Sequence, residues 1–301
     1  MKESVNQVDI SGIVSEINIR DIEKEDKKFV AGEIVVKVEQ EVKDKEGKTV
    51  MEVNNIPVSF ISANVKKDGT PNKIYSSLQQ LKNFNSIASA GEENATKVQI
   101  KGARFQENLF MPQGGTEVLS VTKINSNFFT KVNGTNFKPE SRFRVTGSIL
   151  QIAEEEKVVD GEMQETGRLT VKAAVVGYGD KVDVIKFIVE APEAISFIKA
   201  NWKEGDTVLI GGRLRYTEET YERVEEVGFG EADRKTYTRR TKELIIERGS
   251  AGSLDEEECF DVEDIKTALR QRKERMEAVK KAAEQPKPQQ TVKASSEDFG
   301  F

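Results

Sequence analysis

The amino-acid sequence predicts a mainly β protein in which a five-stranded module occurs twice and is followed by a helix and a tail. Three observations predict this architecture. Apolar and polar residues alternate along ten segments, which is typical of strands with one buried face. Three such segments, a helical segment and two further segments follow one another twice. Short glycine-containing motifs of the first copy also recur in the second copy at a fixed offset.

The first module is assigned to residues 1–133. Its strands are expected over residues 8–22, 29–41, 50–65, 96–110 and 116–128. The first strand has Val8, Ile10 and Val14 on one face, since side chains alternate along a strand. A helix is expected over residues 72–88, before the fourth strand, because apolar residues recur there at helical spacing.

The second module covers residues 141–250 and follows a linker of residues 134–140. Its strands are expected over residues 143–155, 167–177, 181–190, 207–218 and 238–248. Pro192 occupies the first turn of a helix over residues 192–203, a position where a helix tolerates proline. An extended polar loop, residues 219–237, separates the last two strands.

The two modules match each other at short motifs, which predicts a tandem duplication. Gly12 falls on Gly147 at an offset of 135 residues, and the same offset places Gly32 on Gly167. The fourth strands match at an offset of 110, so the second copy has shorter loops before that strand.

Three strands, a helix and two strands form the element order of the OB fold, a five-stranded Greek-key barrel. We therefore expect two tandem OB-fold barrels. Residues 251–284 are assigned to an acidic segment and a C-terminal helix. That helix is expected over residues 261–284, because its acidic start and basic end suit the helix dipole, and it either docks on the barrels or mediates self-association. The remaining residues, 285–301, are expected to be a disordered tail, since they begin with a proline-glutamine spacer that does not pack.

The composition argues against catalysis. Histidine is absent from the 301 residues, which removes the commonest general base and the commonest zinc ligand. No phosphate-binding loop or paired-cysteine motif is present, so we expect neither enzymatic activity nor a cofactor or metal. The single cysteine, Cys259, fits a reducing cytoplasm, and no apolar run is long enough to predict a membrane helix. A cytoplasmic protein is expected.

The net charge of −6 disfavours nucleic-acid binding at first sight, because phosphate contacts require cations. The charges are, however, segregated along the chain. Acidic residues crowd residues 255–264, whereas arginine and lysine collect within residues 213–242. An acidic C-terminal part beside a basic groove is compatible with a protein that binds single strands.

The second module carries the main candidate binding surface. Arg213 and Arg215 share one face of the fourth strand, and the loops joining strands four and five flank the ligand groove of an OB fold. Cations meet phosphates and aromatic rings stack on bases in single-strand grooves. The predicted residues are Arg213, Arg215, Tyr216, Tyr221, Arg234, Lys235, Tyr237, Arg239 and Arg240. The alternative is a solvated hairpin whose tyrosines pack inward.

The first module offers weaker candidates. Lys101 and Phe105 lie on the polar side of the fourth strand, where a phenylalanine predicts a stacking platform. The alternative is a bulge that turns Phe105 inward. Lys37 and Lys172 are also predicted to contact the nucleic acid, at equivalent positions of the two second strands.

Two stretches resemble bacterial and phage single-stranded-DNA-binding proteins. In residues 202–216 a helix end leads through Gly-Asp into a bent strand that ends in arginines, as between the helix and fourth strand of such barrels. The C-terminal tip is similar to the acidic, phenylalanine-ended tip of these proteins, although it has fewer acids, an additional Phe299 and a glycine where proline is common. The tip residues concerned are Glu297, Asp298, Phe299 and Phe301.

This resemblance implies a phage or bacterial protein that coats single-stranded DNA during replication or recombination. It also implies that the tip recruits replication or recombination proteins. Two alternatives stay open on the sequence alone. One is an OB-fold interaction scaffold that binds no DNA, which the net acidity favours. The other is a regulator that binds RNA or associates with RNA polymerase.

Overall fold

The computed structural model of the protein describes residues 1–24, 27–44, 47–134, 137–159, 162–225 and 233–284. Eleven strands run through these residues, namely β1 (Asn6–Lys24), β2 (Lys27–Lys43), β3 (Thr49–Ala63), β4 (Lys97–Phe110), β5 (Leu119–Asn125), β6 (Thr130–Lys131), β7 (Glu140–Val159), β8 (Glu162–Val176), β9 (Val182–Val189), β10 (Thr207–Glu225) and β11 (Asp233–Gly249). The α-helices of the same residues are α1 (Lys73–Gln79), α2 (Ile87–Ala90), α3 (Pro192–Asn201) and α4 (Val262–Glu284). The architecture is therefore mainly β with a long C-terminal helix, as predicted.

Strand pairing in the first half of the molecule (β1–β6) forms a closed circuit. β1 pairs with β2, β2 with β3, β3 in parallel with β5, β5 with β4, and β4 again with β1. The short β6 adds to β4. Strand alternation explains the circuit's core, because Val8, Ile10 and Val14 are all buried on the same face of β1.

The second half (β7–β11) repeats this pairing order. β7 pairs with β8, β8 with β9, β9 in parallel with β11, β11 with β10, and β10 again with β7. Antiparallel pairing of β1 with β7 joins the two circuits into one continuous sheet and places Val8 opposite Phe143. Their cores also merge, since the ring of Phe143 lies 5.6 Å from those of both Phe105 and Phe187.

The helix expected over residues 72–88 is interrupted. α1 ends at Gln79 and a 3-10 turn follows, after which α2 starts afresh. The interruption arises because Phe84 has an extended backbone and Ser86 caps α2, its hydroxyl accepting a hydrogen bond from the backbone N–H of Ser89. Leu78 and Leu81 are nevertheless buried, as the helical spacing indicated.

The prediction of a polar loop over residues 219–237 is wrong for most of that range. β10 continues to Glu225 and β11 begins at Asp233, and their residues pair without a break from Gly212 opposite Ile246 outward. Threonine and tyrosine recur along both strands, and these residue types are enriched in strands.

The strand registers support the duplication but correct one of its matches. Register shifts occur after Val14 in β1 and after Ile149 in β7, at the predicted offset of 135. Val14 pairs with Val36, however, and Ile149 pairs with Ala173, so the second strands correspond at an offset of 137. Gly32 therefore does not correspond to Gly167. Lys37 likewise corresponds to Ala174, not to Lys172.

Helix α4 packs on the outside of both halves. Asp261 caps its start by accepting hydrogen bonds from the backbone N–H groups of Glu263 and Asp264. Ile265 and Ala268 pack with β8 and β9, and Arg272 reaches across to Glu107 in β4. The structure therefore shows α4 docked on the two halves, which is one of the two alternatives expected for this helix. Among the described residues, no helix has the length and apolar character that a membrane span requires.

A candidate nucleic-acid interface between the two halves

Two corresponding junctions hold the halves side by side. Val8 and Phe143 correspond at the offset of 135 and also pair with each other, so an approximate two-fold axis passes between them. The axis places β3 against β10 at one junction and β9 against β4 at the other. The strand registers show which residues correspond at the two junctions. A residue of β3 corresponds to the residue 129 positions later, in β9, and a residue of the outer part of β4 corresponds to the residue 109 positions later, in β10.

The junction of β3 with β10, here called the sealed junction, is closed by ion pairs. Arg213 is only 3% exposed. Glu52 accepts hydrogen bonds from Arg213 Nη1 at 3.0 Å and from Arg215 Nε at 2.9 Å. Glu190 accepts from Arg213 Nη2 at 2.9 Å and from Arg215 Nη1 at 2.7 Å. These two arginines therefore already have carboxylates as partners on both sides.

A second layer of charges extends the sealed junction. Arg168 donates to Glu155 and to Glu243, and Arg215 lies 3.3 Å from Glu243. Burial disfavours the charged form of Glu243, but hydrogen bonds from Arg168 and the charges of Arg168 and Arg215 hold its pKa below the ordinary value. The pKa of Glu155 is also lowered: burial opposes ionisation, but hydrogen bonds from Thr166 and Arg168 outweigh it.

The sealed junction corrects the prediction of an exposed arginine face. Arg213 and Arg215 do share a strand face, but β3 of the other half covers it. Tyr216 is buried as well, which raises its pKa to about 12, and its backbone N–H donates to Asn54 Oδ1 at 2.6 Å. None of these three side chains is placed to receive a nucleic-acid strand in this arrangement.

Phe105 is likewise not a surface platform. It is 2% exposed and packs edge-to-face on Phe143, because β4 bulges at Gly102, whose backbone is left-handed with φ 67°. The inward alternative is thus the observed one. Lys101 and Lys172 are exposed, whereas Lys37 is half-buried in ion pairs with carboxylates of the first half.

The outer part of the β10–β11 hairpin, residues 217–225 and 233–241, is here called the hairpin arm. Tyr221 and Tyr237 pair across it with ring centroids 5.8 Å apart and planes 21° apart, and they are 52% and 37% exposed. Arg239 is exposed on the same face of the arm, whereas Arg240 is exposed on the other face, where it pairs with Glu218 at 3.0 Å. Arg234 is exposed near the end of the arm, whereas the side chain of Lys235 lies outside the described part of the chain.

The junction of β4 with β9, here called the open junction, contains a cleft of about 560 Å³. Its walls carry Arg104 and Lys181 together with two exposed rings, Tyr178 at 84% and Phe128 at 64% exposure. Sequence reasoning did not select any of these residues. These residues are far apart along the chain, so no local pattern connects them. The only signal of a site in the sequence was the position of the two aromatic residues beside turns.

The tip residues Glu297, Asp298, Phe299 and Phe301 lie outside the described residues, so their predicted role stays a prediction. The described residues contain no group of three or more carboxylate or cysteine side chains arranged to hold a metal ion.

The YorF family profile matches residues 4–282. The chain belongs to the YorF family. No curated protein matches its sequence. Its fold is similar to that of the wild-type single-stranded DNA binding protein from Thermus aquaticus, with a TM-score of 0.52 and 9% identity over 84% of this chain and 96% of that one. A deletion mutant of the same protein gives a TM-score of 0.53 and 11% identity, covering 87% of this chain and 100% of that one. Because the sequence identity is so low, this similarity shows only the fold of the YorF-family chain and not its function.

Proposed function

We propose that this protein binds single-stranded DNA with little sequence preference. The observation that carries the proposal is the stacked, solvent-exposed pair Tyr221 and Tyr237 on the hairpin arm, with Arg239 beside it. Exposed rings offer faces to unpaired bases of any sequence, and neighbouring cations attract the phosphates. A strand held in this way binds less tightly as salt rises.

We also propose that each half is an OB-type barrel. The closed order of strand pairing supports this interpretation, as does the similarity of the fold to the Thermus aquaticus protein. In an OB fold the connection between the fourth and fifth strands borders the ligand groove. The hairpin arm is that connection in the second half.

The wider role follows from the same proposal. The protein would coat exposed strands during phage or bacterial DNA replication or recombination, in the cytoplasm and without catalysis or a cofactor. Its tip residues, Glu297, Asp298, Phe299 and Phe301, would recruit partner proteins by docking a ring and acidic groups into a basic pocket.

The test is fluorescence anisotropy of a labelled dT oligonucleotide titrated with the full chain at two salt concentrations. We expect salt-sensitive binding that a duplex of equal length does not compete away. The double variant Tyr221→Ala/Tyr237→Ala is expected to weaken binding by roughly 1–3 kcal/mol, the contribution of about one stacked base.

The matched control is Phe197→Ala, which removes an exposed ring from α3, away from the arm. It should bind as the unmodified chain does. If the unmodified chain binds no single strand even at low salt, the proposal fails and the interaction scaffold is favoured. Tighter binding of the matching RNA oligonucleotide would favour the RNA-binding alternative.

A further inference from the structure

We propose that the cleft of the open junction is a second single-strand site, in which bases stack on Tyr178 and Phe128 while Arg104 and Lys181 meet the phosphates. This inference rests on the proposed function and extends it to a surface that involves both halves. It follows from comparing the two junctions position by position.

One backbone contact recurs at corresponding positions of the two junctions. At the sealed junction, Asn54 accepts a hydrogen bond from the backbone N–H of Tyr216 at 2.6 Å. At the open junction, Asp183 corresponds to Asn54 and Glu107 corresponds to Tyr216. Asp183 likewise accepts a hydrogen bond from the backbone N–H of Glu107. The two junctions therefore share this contact, although β3 and β10 pack along a longer stretch than β4 and β9 do.

The side chains at corresponding positions have different charges. Arg104 takes the place of Arg213, but Lys181 stands where Glu52 would supply the carboxylate. Glu190 is likewise replaced by Ile61, which is exposed on the cleft wall. A cation facing a cation cannot close the junction, because like charges repel and neither can be desolvated without a partner.

The cations of the cleft are available to an anionic ligand. Within the described residues, Lys181 makes no ion pair within 4.0 Å, and Arg104 has one loose contact, 3.7 Å from Glu3. The acidic Glu107 at the same cleft is already paired with Arg272 of α4. Asp183 and Arg275 also line the cleft, so its acidic and basic residues are equal in number. What favours a ligand that carries phosphates is the weak pairing of Lys181 and Arg104.

The rings of the cleft are placed for stacking. Tyr178 lies on a tight turn between β8 and β9, where Gly179 and Asp180 have left-handed backbones with φ 69° and 58° and the Gly177 N–H donates to the Lys181 carbonyl at 2.7 Å. The cleft's volume of about 560 Å³ also lies within the roughly 300–1,000 Å³ of typical ligand clefts.

The proposal is tested with the same dT oligonucleotide and full chain. The double variant Tyr178→Ala/Phe128→Ala should weaken binding by about 5- to 150-fold, because it removes the stacking of at least one base. Lys181→Glu places beside Arg104 the carboxylate that Glu52 supplies at the sealed junction. It should weaken binding and reduce the slope of log affinity against log salt by about 0.7 for each lost phosphate contact.

The controls separate this inference from the proposed function. Both variants replace exposed side chains, and unfolding in urea checks that they fold; Phe197→Ala again serves as the unrelated exposed ring. If the unmodified chain binds and the arm variant is weakened, but both cleft variants bind with unchanged affinity and salt slope, the inference is overturned while the proposed function stands. Tighter DNA binding by the cleft variants would also overturn it, since it would indicate that an acidic peptide segment occupies the cleft.

Discussion

The sealed and open junctions lie at corresponding places in the two halves but present two different kinds of surface. At both, the fourth strand of one half donates a backbone hydrogen bond to a side chain of the other half. At the sealed junction, carboxylates face arginines and Arg213 is buried. At the open junction, a lysine and an isoleucine stand in place of the two carboxylates. A few charges therefore decide whether a junction joins the halves or remains accessible to a ligand.

The largest expected difference between the junctions concerns their arginines. Arg213→Ala leaves Glu52 and Glu190 short of a buried partner, which should lower the free energy of unfolding by about 3–5 kcal/mol. The corresponding change at the open junction, Arg104→Ala, should cost less than about 1 kcal/mol, since that side chain is exposed and only loosely paired. Urea denaturation followed by Trp202 fluorescence measures both.

Equal losses for the two variants would contradict the distinction between a structural and an accessible junction. A further variant, Arg213→Met, keeps most of the side-chain volume. It should remain strongly destabilising, because the uncompensated carboxylates cause most of the loss and the missing packing only a small part.

How much of this could be predicted from the sequence depends on how local each signal is. Alternation located the strands, and Asp261 with its acidic followers located α4, because both signals lie within the element itself. The face shared by Arg213 and Arg215 was also predictable from strand parity. That the face is covered was not, since Glu52 comes from the other half and is 161 residues from Arg213.

The sequence did not reveal the hairpin arm or the cleft, and the two reasons are related. Residues 219–237 are polar on both faces, so alternation of buried and exposed residues, the signal used for strands, is missing there. Tyr178 and Phe128 line one cleft only because the two halves lie side by side. Comparing corresponding positions, such as Glu52 with Lys181, would reveal the cleft, but it requires the offset of 129, which the sequence motifs did not supply.

The second prediction uses pH to weaken the sealed junction. The pKa values of Glu243 and Glu155 are lowered in the folded protein, so their contribution to stability is present above the unfolded pKa and is lost as pH falls through the folded value. The melting temperature should therefore fall by several degrees between pH 6 and pH 3, where about 1 kcal/mol corresponds to roughly 2–4 °C in a chain of this size. In Glu243→Gln this fall should be smaller, because one of the titrating carboxylates is gone. A fall of the same size in this variant would place the acid sensitivity elsewhere in the molecule.

The smallest expected effect comes from Asp183→Asn, a substitution that makes the open junction more like the sealed one. Burial raises the pKa of Asp183, the counterpart of Asn54, and a group with a raised pKa stabilises the fold at low pH and loses that contribution as pH rises through the folded value. Asp183→Asn keeps an acceptor for the Glu107 N–H but removes the half-buried charge. We expect a gain of about 0.5 kcal/mol at pH 7.5 that vanishes at pH 3, measured by thermal unfolding. A gain that is the same at both pH values would mean that packing, not charge, distinguishes Asn54 from Asp183, and the electrostatic account of the open junction would lose its support on the β9 side.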